Sequence, residues 1–166
     1  VYAWDVLNEY IHRSNAAAAT TWVSVYGDMG LKPTYVKAAF EYAYDELKKQ
    51  NVQNKVTLFY NDYDTYFSVD DELALISYIN EGEEAKICGG IGMQSHVDIK
   101  RPTLEEYGNA LKAFINAGLE VQITELDITI NFDTDDTDGR RHMLIKMKRK
   151  PMLTKLPLRK ILLSRL

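Results

Sequence analysis

WDVLNE, residues Trp4–Glu9, is a short apolar run that finishes in a polar pair. Trp4, Val6 and Leu7 favour extended backbone and give way to Asn8 and Glu9. QITELDI, Gln122–Ile128, repeats the design farther along, with Glu125 near its end. Two strand-like segments thus deliver one glutamate each at or near their ends. Chemistry that uses two carboxylates on opposite sides of one bond needs this equipment.

Outward from these two stretches, strands and helices alternate. PTYVKAAFEYAYDELKKQN, from Pro33, spaces Val36, Ala39, Phe40, Ala43 and Leu47 as one face of a helix, with lysines near its end. KVTLFYND, from Lys55, is a second strand. DDELALISYINEG, from Asp70, is a second helix with Leu73, Ile76 and Ile79 in a stripe. AKICGGIGMQSH is a third strand running into a glycine-rich end. RPTLEEYGNALKAFINAG is a third helix: Thr103 and Glu106 form a capping box, Leu104, Tyr107, Leu111, Phe114 and Ile115 face inward, and Gly118 stops it. LEVQITELDI is a fourth strand. Consecutive strands joined by helices run parallel with right-handed crossovers. The fold class is α/β.

In a (β/α)8 barrel the reactive residues gather where the strands end. Here those ends carry Asn8 and Glu9, Asn61 and Asp62, Gln94 and His96, and Glu125 and Asp127. A lone glutamate after a strand is ordinarily a solvated loop residue, a lone histidine a satisfied structural group, and Asn-Asp plain turn chemistry. Four polar strand ends in the same register carry the reading.

A chain of 166 residues with 46% hydrophobic content suits one domain with a real core. No apolar run approaches the roughly 18 residues of a membrane span. Cys88 is the sole cysteine, so no internal disulfide forms. The formal charge of -4 hides an asymmetry: ten of the twenty basic residues lie between Arg140 and Arg165, where there is no Asp or Glu. The acidic body argues against nucleic acid as the partner and is compatible with a neutral sugar.

WDVLNE, LFYNDY, GIGMQSHVD and ITELDI resemble, in order and spacing, the second half of family 10 glycoside hydrolases, which are endo-β-1,4-xylanases with a (β/α)8 TIM barrel. The resemblance covers roughly residues 1–132 and implies a partial barrel, about strands four to seven with their helices. It implies that Glu9 is the general acid/base and Glu125 the nucleophile, with His96 bonded to that nucleophile and Asp127 behind the histidine. Asn8, Asn61, Tyr63 and Gln94 are implied to contact substrate, Asn8 at the sugar 2-hydroxyl beside the cleaved bond. Retaining hydrolysis of internal β-1,4-xylosidic bonds then follows by double displacement, with xylan or xylo-oligosaccharide as substrate. The cycle needs no metal or organic cofactor. Tyr66, just after a strand end, is a further candidate for stacking on sugar, whereas Tyr42 and Tyr44 are expected to pack in their helix.

Two departures are evident. The family's first three strands, which bring a lysine, a histidine and a tryptophan to the site, are not in this sequence, so the chain reads as a fragment. Alone it is expected to be poorly stable, because half a barrel has open edges. The second departure follows the acidic loop, residues 133–139: the basic tail, 140–166, has neither the acids nor the tryptophan of the family. Pro151 and Pro157 argue against a long amphipathic helix on an anionic surface. A reading-frame slip near Gly139 is favoured, since the shifted frame turns Met147-Lys148 into Glu and is compatible with a Glu/Lys/Ala helix. Two other readings are kept: a non-catalytic truncated remnant, and a retaining β-1,4-glucanase. The intact protein is expected to be a monomer without nucleic-acid or membrane partners, and to be secreted, because its polymeric substrate cannot enter a cell.

Overall fold

The computed structural model describes residues 1–13, 22–129 and 161–163. Its elements are β1 (Ala3–Asn8), α1 (Trp22–Tyr26), α2 (Thr34–Lys49), β2 (Thr57–Asp62), α3 (Val69–Asn80), β3 (Gly90–Met93), β4 (His96–Asp98), α4 (Leu104–Asn116), β5 (Glu120–Ile123), β6 (Asp127–Thr129) and β7 (Ile161–Leu163). A five-stranded sheet runs in the order β1-β2-β3-β5-β7, and every neighbouring pair is parallel. This is the wall of a (β/α) barrel, one strand wider than the four strands expected. Ile161–Leu163, within the basic tail, form that extra strand. The acidic loop and the rest of the tail, with the frame-slip reading, lie outside the described residues. The short helix α1 lies between Glu9 and α2, in a segment to which the sequence pattern assigns no element.

The hydrophobic core lies between the sheet and α2, α3 and α4. Val36, Phe40 and Leu47 of α2, Leu75, Ile76 and Ile79 of α3, and Ala110, Leu111 and Phe114 of α4 pack on Leu58, Tyr60, Ile91, Met93 and Val121. The 3.6-residue spacing of these side chains puts them on one face of each helix. The Thr103–Glu106 capping box forms, and Gly118 takes a positive φ of 75° just past α4. Two expectations fail on exposure. Leu104, at the first position of α4, lies before the helix reaches the sheet and is 42% exposed. Tyr42 sits on the outer face of α2 and points to solvent.

The other face of the sheet is the barrel interior. Phe59, Asn61, Gly90, Gly92, Gln122 and Thr124 line it by simple alternation. Strand β1 breaks that alternation. Asp5 pairs with Phe59, Leu7 with Tyr60, and Asn8 with Asn61, so Val6 is an extra residue in a bulge. The bulge re-phases the strand, and Asn8 joins the inner face on which Asp5 also lies.

Candidate active site

The site forms where the inner face meets the C-terminal ends of the strands, and backbone geometry builds it before side chains do. Glu9 follows β1 in the left-handed region, φ 61°, and its N–H donates to Asn61 O at 2.9 Å. Ser95, φ 67°, makes the same kind of turn between Gln94 and His96. A residue with a Cβ adopts this region only when its surroundings hold it there, and such positions cluster at functional sites. The turns lift Glu9 and His96 off their strands. His96–Asp98 then pairs with Asp127–Thr129 as a separate two-stranded parallel ladder, His96 opposite Asp127. The continuous strands expected through His96 and Ile128 are therefore each two strands.

Three amides connect the two glutamates. Gln94 Nε2 donates to Glu9 Oε1 at 2.9 Å and to Asn8 Oδ1 at 3.1 Å. Asn61 Nδ2 donates to the same Asn8 oxygen at 2.8 Å and to Glu125 Oε1 at 2.9 Å. Asn8 Oδ1 therefore receives two N–H donors, which sets the orientation of its amide. Gln94 and Asn61 are buried, Glu9 is half-buried, and the Glu125 side chain is 42% exposed. The carboxylates are thus gripped from the barrel side and open on the other.

The second oxygen of Glu125 faces His96: Nε2 lies 3.2 Å from Oε2, while Nδ1 lies 2.7 Å from Asp127 Oδ2. A neutral imidazole has one N–H; an imidazolium has two and can donate to both carboxylates at once. Partial burial works against that charge, but the hydrogen bond and charge of Asp127, followed by those of Glu125, outweigh it and raise the His96 pKa above its ordinary value. Glu9, Glu125, His96, Asp127, Asn8, Asn61 and Gln94 are thus joined in one network.

Tyr63 directly follows Asn61 and Asp62 at the end of β2. Its ring stacks on His12, centroids 3.8 Å apart and planes 24° apart. Asp62, beneath them, accepts from Tyr63 N (2.8 Å), His12 Nδ1 (2.7 Å), Ile11 N (3.2 Å) and the Tyr60 hydroxyl. Burial pushes the Asp62 carboxyl up, against the lowering effect of the Tyr60 and His12 bonds. Tyr66, expected to face a ligand, is 8% exposed instead. Its hydroxyl donates to Asp64 Oδ1 and to the His96 carbonyl, so it supports the His96 segment from below.

Sequence reasoning missed His12, Thr124 and Gly92. His12 lies three residues after Glu9, in a loop with no periodicity to read. Thr124 was passed over inside ITELD, although it sits two residues after Gln122 and shares its face. Its hydroxyl donates to Asn61 Oδ1 at 2.8 Å. Gly92 was read only as part of a glycine-rich end. Among the described residues there is no cluster of three or more His, Cys, Asp or Glu side chains able to hold a metal ion, and no helix long and apolar enough to cross a membrane.

Comparison with known proteins places this geometry in context. The model of glycosyl hydrolase family 10 matches residues 1–155, reaching into the basic tail. An endo-1,4-beta-xylanase A of Butyrivibrio fibrisolvens is 49% identical over 132 residues, covering 80% of this chain and 31% of that protein. An endo-1,4-beta-xylanase of Geobacillus stearothermophilus is 33% identical over 138 residues, covering 82% and 38%. The crystal structure of an intracellular xylanase from Thermoanaerobacterium saccharolyticum superposes with a TM-score of 0.73 at 26% identity, covering 99% of this chain and 47% of that one. The chain therefore spans about a third of the length of these two curated relatives.

Proposed function

This chain belongs to glycosyl hydrolase family 10, and from that premise we propose that it supplies the two catalytic glutamates of a retaining endo-1,4-β-xylanase. One observation carries the reading: Glu9 and Glu125, which follow strands far apart in the sequence, are joined through Gln94, Asn8 and Asn61. The name of the Butyrivibrio relative supports xylan as the substrate. The domain we assign is residues 1–132, a part of the barrel wall, within a protein whose other strands complete the cleft.

In the first step Glu9 gives its proton to the glycosidic oxygen while an oxygen of Glu125 attacks the anomeric carbon. The C–O bond to the leaving sugar breaks, and a glycosyl ester on Glu125 forms. In the second step Glu9, now ionised, takes a proton from water as the water oxygen attacks the same carbon and releases Glu125 as carboxylate. Two inversions leave the configuration unchanged. His96, held by Asp127, and Asn61 donate to the two oxygens of Glu125, so they orient the attacking carboxylate and receive it again when the ester breaks. Asn8 keeps its Oδ1 on two amides, which leaves its N–H groups to meet the sugar 2-hydroxyl. Tyr63, backed by His12, offers an aromatic face to a sugar ring. The protein acts as a monomer on a neutral polysaccharide, without nucleic-acid or membrane partners. It is exported if polymer is its substrate, and fractionation of a culture tests that.

The deciding experiment uses the complete barrel carrying these residues. It should release reducing sugar from xylan and not from carboxymethylcellulose. Glu125→Ala should abolish turnover on every substrate. Glu9→Ala should lose about a hundredfold or more on xylan, the usual worth of acid assistance, yet retain aryl xylosides whose leaving group needs no proton. Equal losses on both substrates in Glu9→Ala would contradict the roles assigned. The 166 residues alone should release no sugar; release by them would show that the cleft needs no further strands.

A further inference from the structure

We propose that Thr124 and Gly92 are positioning residues for the nucleophile and act through the side chain of Asn61, an inference that rests on reading Glu125 as the nucleophile. A carboxamide has a donor end and an acceptor end of nearly equal size, so its usefulness to a neighbouring carboxylate depends on what holds each end. Asn61 Nδ2 faces Asn8 and Glu125. Its Oδ1 faces the opposite way, into the barrel, where Asn61 is 4% exposed and water cannot replace a missing partner. The Thr124 hydroxyl is the donor found there, at 2.8 Å.

Gly92 gives the same oxygen its room. A Cβ at position 92 would lie 2.3 Å from Asn61 Oδ1, 3.1 Å from its Cγ and 3.1 Å from Thr124 Cγ2. Gly92 pairs with Asn61 across β2 and β3 and with Gln122 across β3 and β5. The amide of Asn61 therefore lies flat across a neighbouring strand, over a residue without a side chain. A methyl group there would lift the amide off Thr124 and swing Nδ2 away from Glu125. One residue holds the oxygen by attraction, the other by leaving space: Gly92 lies within β3, and Thr124 directly follows β5.

The consequence is a residue class that touches no substrate yet sets the rate of nucleophilic attack. Thr124→Val keeps the shape and removes the hydroxyl. In the complete barrel it should lower kcat on an aryl xyloside with a good leaving group by about tenfold, the worth of one lost hydrogen bond to a buried polar group, with KM unchanged. Thr124→Ser should restore the wild-type rate, which a purely structural role for the threonine methyl would not allow. Gly92→Ala should lower kcat by about a hundredfold, since small displacements of aligned groups cost that much. Wild-type kcat in folded Thr124→Val overturns the proposal, and so does failure of serine to rescue. If valine does not fold, Thr124→Ser and Gly92→Ala decide, and a wild-type rate in the alanine variant overturns it. Glu125→Ala serves as the reference: turnover in that variant would sink the functional reading itself and this inference with it, whereas an inactive Glu125→Ala beside a fully active Thr124→Val sinks the inference alone.

Discussion

At the scale of single residues, the site works by tying its amides and carboxylates to fixed neighbours. Asn8 Oδ1 receives two amides, Asn61 is held at both ends, and His96 is clamped between Asp127 and Glu125. The histidine yields a prediction with a definite sign. Its folded pKa is raised above the unfolded value of about 6.5. The clamp therefore contributes fully below that value and loses its contribution as pH rises through the folded pKa. Asp127→Asn removes the stronger of the two attractions, so the His96 imidazole should titrate at lower pH in that variant than in the wild type. NMR titration of the ring protons measures this, and an unchanged midpoint would show that Asp127 does not hold the charge. Every residue of this network was visible as a polar strand end except Thr124. The resemblance implied that His96 pairs with Glu125 and Asp127, and the structure shows both contacts; the partners of the amides were not visible, because sequence does not say which amide oxygen faces which donor.

At the scale of elements, the strands were legible as apolar runs and the helices as stripes, because burial on one face imposes a period. What escaped was local geometry that breaks the period. The bulge at Val6 turns Asn8 inward, and the left-handed turns at Glu9 and Ser95 end the ladder before the functional side chains. Glycine in β3 shows the same limit from the other side. ICGGIGM reads as a weak strand, yet Gly90 is required sterically: a Cβ there would lie 2.2 Å from the Phe59 ring. Gly90 has no positive φ, so the cost of adding a methyl is crowding alone. Gly90→Ala should destabilise the complete barrel by about 1–3 kcal/mol, read from the urea midpoint, and Phe59→Leu in the same molecule should recover part of the loss. Additive losses in the double variant would show that Phe59 is not what the glycine accommodates.

At the scale of the whole molecule, the described residues form a five-stranded parallel sheet with helices packed on one face, and its β1 edge leaves Tyr2 and Trp4 about half exposed (54% and 51%). The helical layer holds a second whole-molecule feature. Glu72, in the first turn of α3, is fully buried with Ser68 Oγ on one carboxyl oxygen and, among the described residues, no partner on the other. Burial first, and then the nearby charge of Asp62, push its pKa well above the ordinary glutamate value. The folded state thus keeps a proton that the unfolded chain releases above about pH 4.3, and stability falls as pH rises from there through the folded pKa. Glu72→Gln in the complete barrel should be more stable than the wild type at pH 8 and no more stable at pH 4. An equal difference at both pH values would show that Glu72 is ionised in the fold. The sequence by itself determined the alternation of strands and helices, the parallel sheet and the identity of the polar strand ends, because each of these is a local pattern of side chains along the chain. Only the tertiary structure decided how the amides of Asn8, Asn61 and Gln94 share their hydrogen bonds, that Tyr66 is buried and Tyr42 is not, and that Gly92 and Thr124 grip Asn61. Those facts depend on register between strands distant in sequence, and register is settled by packing across the whole sheet rather than by any one of its strands.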